Sequence, residues 1–329
     1  MDFESALLQE RLLSGHEPKA GSSIEGRVSA VLNARGQDRV LSPHMPGLGR
    51  HHRPGRVLGT CRNRGRQVKS EKNQFGLDRN IPAAIKREIR QKCGFGCVIC
   101  CSSIWEYEHI DPPFAQATRH DPNAMALLCP GCHKKVTSRL MSKDTVQRKR
   151  RDPCTSRTGY ARDFFDIGET MPSLTFAGVQ VQNCSVPIMV NNEALFEVKE
   201  GEEPGAPFRL SGNFYNSNGE LSLQIVDNEW RVMTEANWDV DVVGPKITIR
   251  ESPNHVSLRL IADPPHGLIV DRMNMQVGNY RFIGNRNTLV MQDRSGNRTT
   301  LTGQIKSHCH VGYQIDDNPE DTWLLGPGS

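Results

Sequence analysis

From Asn80 onward the apolar residues fall into order. Ile81, Ile85, Ile89 and Cys93 recur at every fourth position, with Lys86, Arg87, Arg90 and Lys92 on the other faces, and this spacing predicts an amphipathic helix. Pro82 near the start and Gly94 just past the end suit its boundaries. Trp105–Ile110 reads as a short strand, a loop with DPP and HDPN turn signals follows, Ala124–Leu128 is a brief apolar run, and a polar helical segment starts at His133. Beyond about residue 170 the pattern becomes that of strands. Leu174–Val181, Val186–Val190, Leu221–Val226, Lys246–Arg250, Val256–Ile261 and Thr299–Ile305 are β-rich runs between Gly, Asn and Pro turns, and Asn216–Gly219 and Asp293–Gly296 read as hairpin loops. The pattern predicts an α+β protein, with a small helix-and-strand module at 76–151, a linker at 152–169 and an all-β, sandwich or roll-like domain at 170–329. Residues 1–75 hold no period after a short helical stretch over Glu4–Leu13, and their Gly, Arg, Pro, Ser and His content predicts a disordered basic arm.

Charge divides the chain in the same way. Residues 1–75 carry 13 Lys/Arg against 7 Asp/Glu, residues 76–151 carry 14 against 7, and the remainder 14 against 23. A formal net charge of +4 therefore conceals a basic front that suits a polyanion and an acidic back that repels one. No run approaches the roughly 18 apolar residues of a membrane span, and the opening MDFESALLQERLLSG lacks the basic-then-apolar order of a secretory signal. We therefore expect a cytoplasmic protein with no membrane contact. The ten cysteines suit that compartment through their spacing. Four fall in two C-x-x-C pairs, Cys97/Cys100 and Cys129/Cys132, which favour tetrahedral thiolate ligation of Zn²⁺ over a disulfide framework. Cys61, Cys93, Cys101, Cys154, Cys184 and Cys309 are then expected to be free thiols.

The residues beside these knuckles carry further chemistry. Glu108 and His109 lie between the pairs and His133 directly follows the second; carboxylates and imidazoles are the groups that bind a catalytic cation and activate water. Paired knuckles alone leave zinc ribbons and other fingers open, and leave His133 open as a zinc ligand in a Cys₃His set. Taken together, CGFGCVIC, YEHIDP, HDPNAMALLCPGCH and the following Lys134-Lys135 make the segment from about 80 to 139 resemble the HNH endonuclease family in its zinc-bound form. The resemblance implies a ββα-metal module with structural zinc on Cys97, Cys100, Cys129 and Cys132. It implies that His109 activates water, that Glu108 and His133 hold a catalytic Mg²⁺ or Mn²⁺, and that DNA is hydrolysed to 5′-phosphate and 3′-hydroxyl ends. Arg87, Arg90, Lys134 and Lys135 are the expected nucleic-acid contacts.

Two positions depart from the family pattern. Glu108 stands where Asp is usual, and Asn123 lies one position too far from the second knuckle, so a local bulge is needed for it to orient His109 or complete the metal shell. His120 reads as an ordinary loop residue in preference to a phosphate contact, and Trp230 and Trp238 as core or turn-packing residues in preference to base-stacking platforms. The β-rich domain is expected to serve a homodimer or a protein partner. Two rival readings stand beside the nuclease: a catalytically inactive zinc-dependent nucleic-acid-binding protein, favoured by the displaced Asn123, and an interaction protein that works through its β domain.

Overall fold

The computed structural model describes residues 72–316. The stretch over Glu4–Leu13, Cys61 and most of the expected basic arm lie outside that range. Residues 72–75, assigned to the arm by composition, are instead tied to the module: Asn73 Nδ2 donates to the carbonyls of Phe114 and Ala117, at 2.6 Å each, and Lys72 forms a β-bridge with Asp78.

The module comprises α1 (Ala83–Lys92), β1 (Glu106–His109), β2 (Met125–Leu128), α2 (Pro130–Thr137), α3 (Lys143–Arg151) and α4 (Cys154–Thr158). The apolar stripe of α1 acts as its spacing requires, with Ile81, Ile89 and Cys93 buried and Ile85 packed against them. Gly94 closes the helix at φ +62°, and any side chain there would run into Thr155, so glycine answers both the backbone and the space. β1 and β2 pair antiparallel, Glu106 opposite Leu128 and His109 opposite Met125. Every residue of β2 is buried, because α1, α2 and α3 all pack against this strand. The charge run 148–151 ends α3, a helix capped by Ser142, whose Oγ accepts from the Thr145 N–H at 3.1 Å. Val146 is the buried residue that holds α3 down.

Residues 152–169, expected as a linker, instead hold α4 and the strand β3 (Tyr160–Phe164). β3 is an edge of the large sheet, paired with a strand near residue 230. The sheet continues through β4 (Ser173–Phe176), β5 (Val179–Val190), β6 (Glu193–Lys199), β7 (Arg209–Tyr215), β8 (Leu221–Val226), β9 (Glu229–Met233) and β10 (Asp239–Val243). It is completed by β11 (Lys246–Ser252), β12 (His255–Asp263), β13 (Gly267–Val277), β14 (Tyr280–Asn285), β15 (Thr288–Gln292), β16 (Arg298–Thr302) and β17 (Gln304–Ile315). Neighbours in sequence pair mostly as antiparallel hairpins, whereas β13 with β4 and β17 with β5 are parallel. Phe176, Phe196 and Phe214 follow one another through the core with centroids 4.8 Å apart. Val232 and Val240, near opposite ends of the strand path, share that single core, so the sheet curls round to bury its apolar face against itself. The α+β class and the β-rich domain follow.

The cysteine pattern differs from expectation. Cys101 is bonded to Cys154, and Cys184 to Cys309. The first bond joins the end of the first knuckle to the start of α4. The second links residues directly opposite in the parallel β5–β17 pair. Sequence separations of 53 and 125 carry no local signal of either pairing; the fold creates both. Cys93 is free and buried, its thiol pushed up to about 11 by burial.

The module also packs onto the sheet. Phe95 belongs to the large core, Gln91 Nε2 donates to the Trp238 carbonyl at 2.8 Å, and Arg90 grips Asp239 through two hydrogen bonds of 2.8 Å. Trp230 is a core residue and Trp238 packs under the Arg87 guanidinium, 4.6 Å from its ring centre.

Candidate metal and catalytic centre

Both knuckles are positioned from the C-terminal end of β2. In the first, the Cys101 N–H donates to the Cys97 carbonyl at 2.9 Å while the Val98 N–H hangs the turn on Leu127 O at 3.0 Å. The second knuckle is the opening turn of α2, where Cys129 Sγ accepts from the Cys132 N–H at 3.3 Å and Pro130 takes the first turn. All four sulfurs lie within 4.8 Å of one another. Cys100 stands 3.6 Å from Cys129 and 3.8 Å from Cys132, close to the edge of about 3.8 Å that thiolates make around a tetrahedral ion at about 2.3 Å. Burial, then the neighbouring Cys129 thiol, pushes Cys132 up to about 12, and Cys97 together with burial raises Cys100. A cation offsets this crowding of sulfur charge. The cluster could hold a metal ion such as zinc. Cys93 and the disulfide-bonded Cys101 are not part of it.

His133 turns away from the sulfurs and toward β1. Strand alternation puts Glu106 and Glu108 on one face, and the His133 ring lies between them, Nδ1 3.0 Å from Glu106 Oε2 and Nε2 3.1 Å from Glu108 Oε2. A hard cation with ligands about 2.1 Å away at right angles separates them by about 3.0 Å. Glu108 and His133 fit such a pair, and the extra methylene of Glu108 does not prevent the approach. Lys143, at the start of α3, adds a positive charge, its Nζ 3.4 Å from Glu108 Oε1 and donating to the His109 carbonyl at 2.8 Å.

His109 occupies the other side of β1. Its ring centre lies 5.4 Å from that of Phe114 and 5.2 Å from that of His120. Burial, followed by repulsion from His120 whenever that ring is protonated and from Lys143 and Arg79, pushes its pKa down to about 4, so the imidazole is neutral at neutral pH. His109 Nε2 is 3.2 Å from His120 Nδ1, and His120 Nε2 is 2.8 Å from the Asp78 carbonyl oxygen. Among the described residues no hydrogen bond joins the His109 ring to Glu108 or His133; the two halves of the centre flank the strand end.

Several expected roles are redistributed. Asn123 is exposed and its Oδ1 accepts from Lys92 Nζ at 2.6 Å, so it does not reach His109. His120, which reads in sequence as a loop residue, is buried and makes that contact instead. Arg90, expected to meet nucleic acid, is buried and bound to Asp239, to Asp241 at 3.2 Å and to the Tyr107 hydroxyl at 2.9 Å. Arg87 is occupied by Trp238 and lies 3.8 Å from Asp239. Lys134 and Lys135 remain exposed on α2, and Arg148 and Arg151 on α3, whereas Arg150 donates to the Met125 and Pro122 carbonyls at 2.7 Å each. Of the missed residues, Glu106 had a signal in its two-residue spacing from Glu108; His120 and Lys143 had none, because loop and helix return to the site only in three dimensions. No helix among the described residues is long and apolar enough to cross a membrane.

Comparisons with protein-family models, with curated proteins and with solved structures find no match to this chain.

Proposed function

We propose that this chain is a metal-dependent endonuclease that hydrolyses DNA phosphodiester bonds through an HNH module with structural zinc. The observation that carries the reading is the pairing of Glu108 with His133 at the end of the strand that bears a buried, neutral His109. Zinc on Cys97, Cys100, Cys129 and Cys132 would lock the two knuckles together and so hold α2 against β1. Glu108 and His133 would hold Mg²⁺ or Mn²⁺, which when bound supplies counter-charge to the scissile phosphate and the departing oxygen. His109 has a free lone pair with which to accept the proton of the attacking water. Lys134, Lys135, Arg148 and Arg151 supply sequence-independent phosphate contacts. The acidic β-rich part suits a protein partner or a second copy better than the duplex.

One observation favours the inactive nucleic-acid-binding reading: Lys143 already supplies a positive charge to Glu108. Plasmid nicking with Mg²⁺ or Mn²⁺ separates the two. Cleavage by the intact protein is expected to fall roughly 10²–10⁴-fold in His109→Ala, the ordinary worth of a general base, with Mn²⁺ binding retained. His133→Ala is expected to bind Mn²⁺ more weakly and to regain part of its activity in excess Mn²⁺. Binding without cutting by the intact protein selects the inactive reading, and cutting by both variants at the unaltered rate removes these residues from the chemistry.

A further inference from the structure

We propose that His120, backed by the carbonyl of Asp78, is a positioning residue that fixes the tautomer of His109, leaving the lone pair on Nδ1 and the proton on Nε2. The proposal rests on the reading of His109 as the base that activates water, and assigns the orienting role to a residue for which the sequence offered Asn123 instead.

The inference starts from a backbone oxygen. A carbonyl can only accept, so His120 Nε2, 2.8 Å from Asp78 O, carries a proton. A neutral His120 then has only a lone pair at Nδ1. Its neighbour at 3.2 Å, His109 Nε2, must be the donor. What remains on His109 is an unprotonated Nδ1, the nitrogen able to take a proton. Both rings are 8 % exposed, so water competes little for these bonds. Each end of the relay is held in place. Asp78 lies in a turn closed by its own side chain, Oδ1 accepting from the Asn80 N–H at 2.8 Å, and by the bridge to Lys72. His109 is held by its pairing with Met125 and by the Phe114 ring, which in turn lies under the Arg79 guanidinium at 4.7 Å. With this relay in place the site has no need of Asn123, whose side chain is free to bind Lys92.

The test uses the full chain with ¹⁵N-labelled histidine at pH 8, above the ordinary histidine range, with long-range nitrogen–proton spectra and nicking rates side by side. In the unaltered protein His109 is expected to show a pyridine-type Nδ1 and a pyrrole-type Nε2. His120→Phe keeps a ring in the cavity but removes the acceptor. It should leave His109 as a mixture of tautomers and lower kcat roughly ten- to a hundred-fold, the usual worth of such outer partners, with KM and Mn²⁺ affinity unchanged. His120→Gln offers an amide oxygen and should restore the single tautomer and most of kcat. The proposal is overturned by a protonated Nδ1 in the unaltered protein, or by a His120→Phe spectrum identical to it, whatever happens to the rate. Should His120→Phe fail to fold, the spectra of the unaltered protein and of His120→Gln carry the decision. If no form of the protein nicks DNA, the endonuclease reading fails while the spectra still decide whether His120 sets the tautomer.

Discussion

At the scale of single residues, Glu106 and His120 each contact a histidine of the candidate site. Glu106 holds Nδ1 of His133 at 3.0 Å, which leaves Nε2 to face Glu108. A carboxylate behind a ligating histidine fixes its ring and raises its basicity. Glu106→Ala is therefore expected to weaken Mn²⁺ binding roughly tenfold or more, measured by calorimetry, with the thermal midpoint little changed because Glu106 is exposed. Unchanged Mn²⁺ affinity would show that the Glu106–His133 pairing is incidental. Glu108, His109 and His133 were legible as candidates because residue type and order in the chain single them out, and the fold places Glu108 against His133 with His109 at the end of the same strand. His120 was not, because what defines it is a bond across eleven residues of loop.

At the scale of elements, α3 shows how one basic run divides into different tasks. Arg150 fastens the helix to the loop before β2 and to β2 itself through the carbonyls of Pro122 and Met125, whereas Arg148 and Arg151 face solvent. Neutralising Arg148 and Arg151 together is expected to lower the salt dependence of DNA binding by about one for each phosphate that the helix no longer neutralises. Arg150→Ala should instead destabilise the module with little effect on that slope. Equal slopes in filter-binding titrations of all forms would make the exposed charges bystanders. The Cys101–Cys154 bond belongs to the same scale, since it staples the first knuckle to α4 across 53 residues. On the chain-entropy account a loop of that length is worth about 4 kcal/mol. Cys154→Ser should lose a comparable amount in guanidinium melts run without reductant, and reductant should bring the intact protein down to the level of the variant.

At the scale of the whole molecule, metal binding and folding should be one event. The module core is small, with two knuckle cysteines, Cys97 and Cys132, inside it, so ligation and packing support each other. Purified protein is expected to carry about one zinc per chain. Chelation, or Cys129→Ser, should loosen α2 and β1 while the strands from β4 onward keep their amide protection. Hydrogen exchange reads both regions at once, and a module equally protected with and without metal would remove the structural role. Sequence alone determined the local part of this picture. The four-residue apolar spacing of α1, the two knuckles, the short strand bearing Glu108 and His109, and the β-rich character beyond residue 170 all follow from neighbours in the chain, where side-chain period and backbone preference act. Tertiary structure decided the rest. Arg90 became a buried partner of Asp239 rather than a phosphate ligand, β3 left the supposed linker to edge the sheet, two pairs of cysteines met across 53 and 125 residues, and His120 took the place beside His109 that spacing had offered to Asn123. Each of these turns on which distant segments pack together, and that choice is made by burial of the two cores as wholes, not by any signal within a few residues.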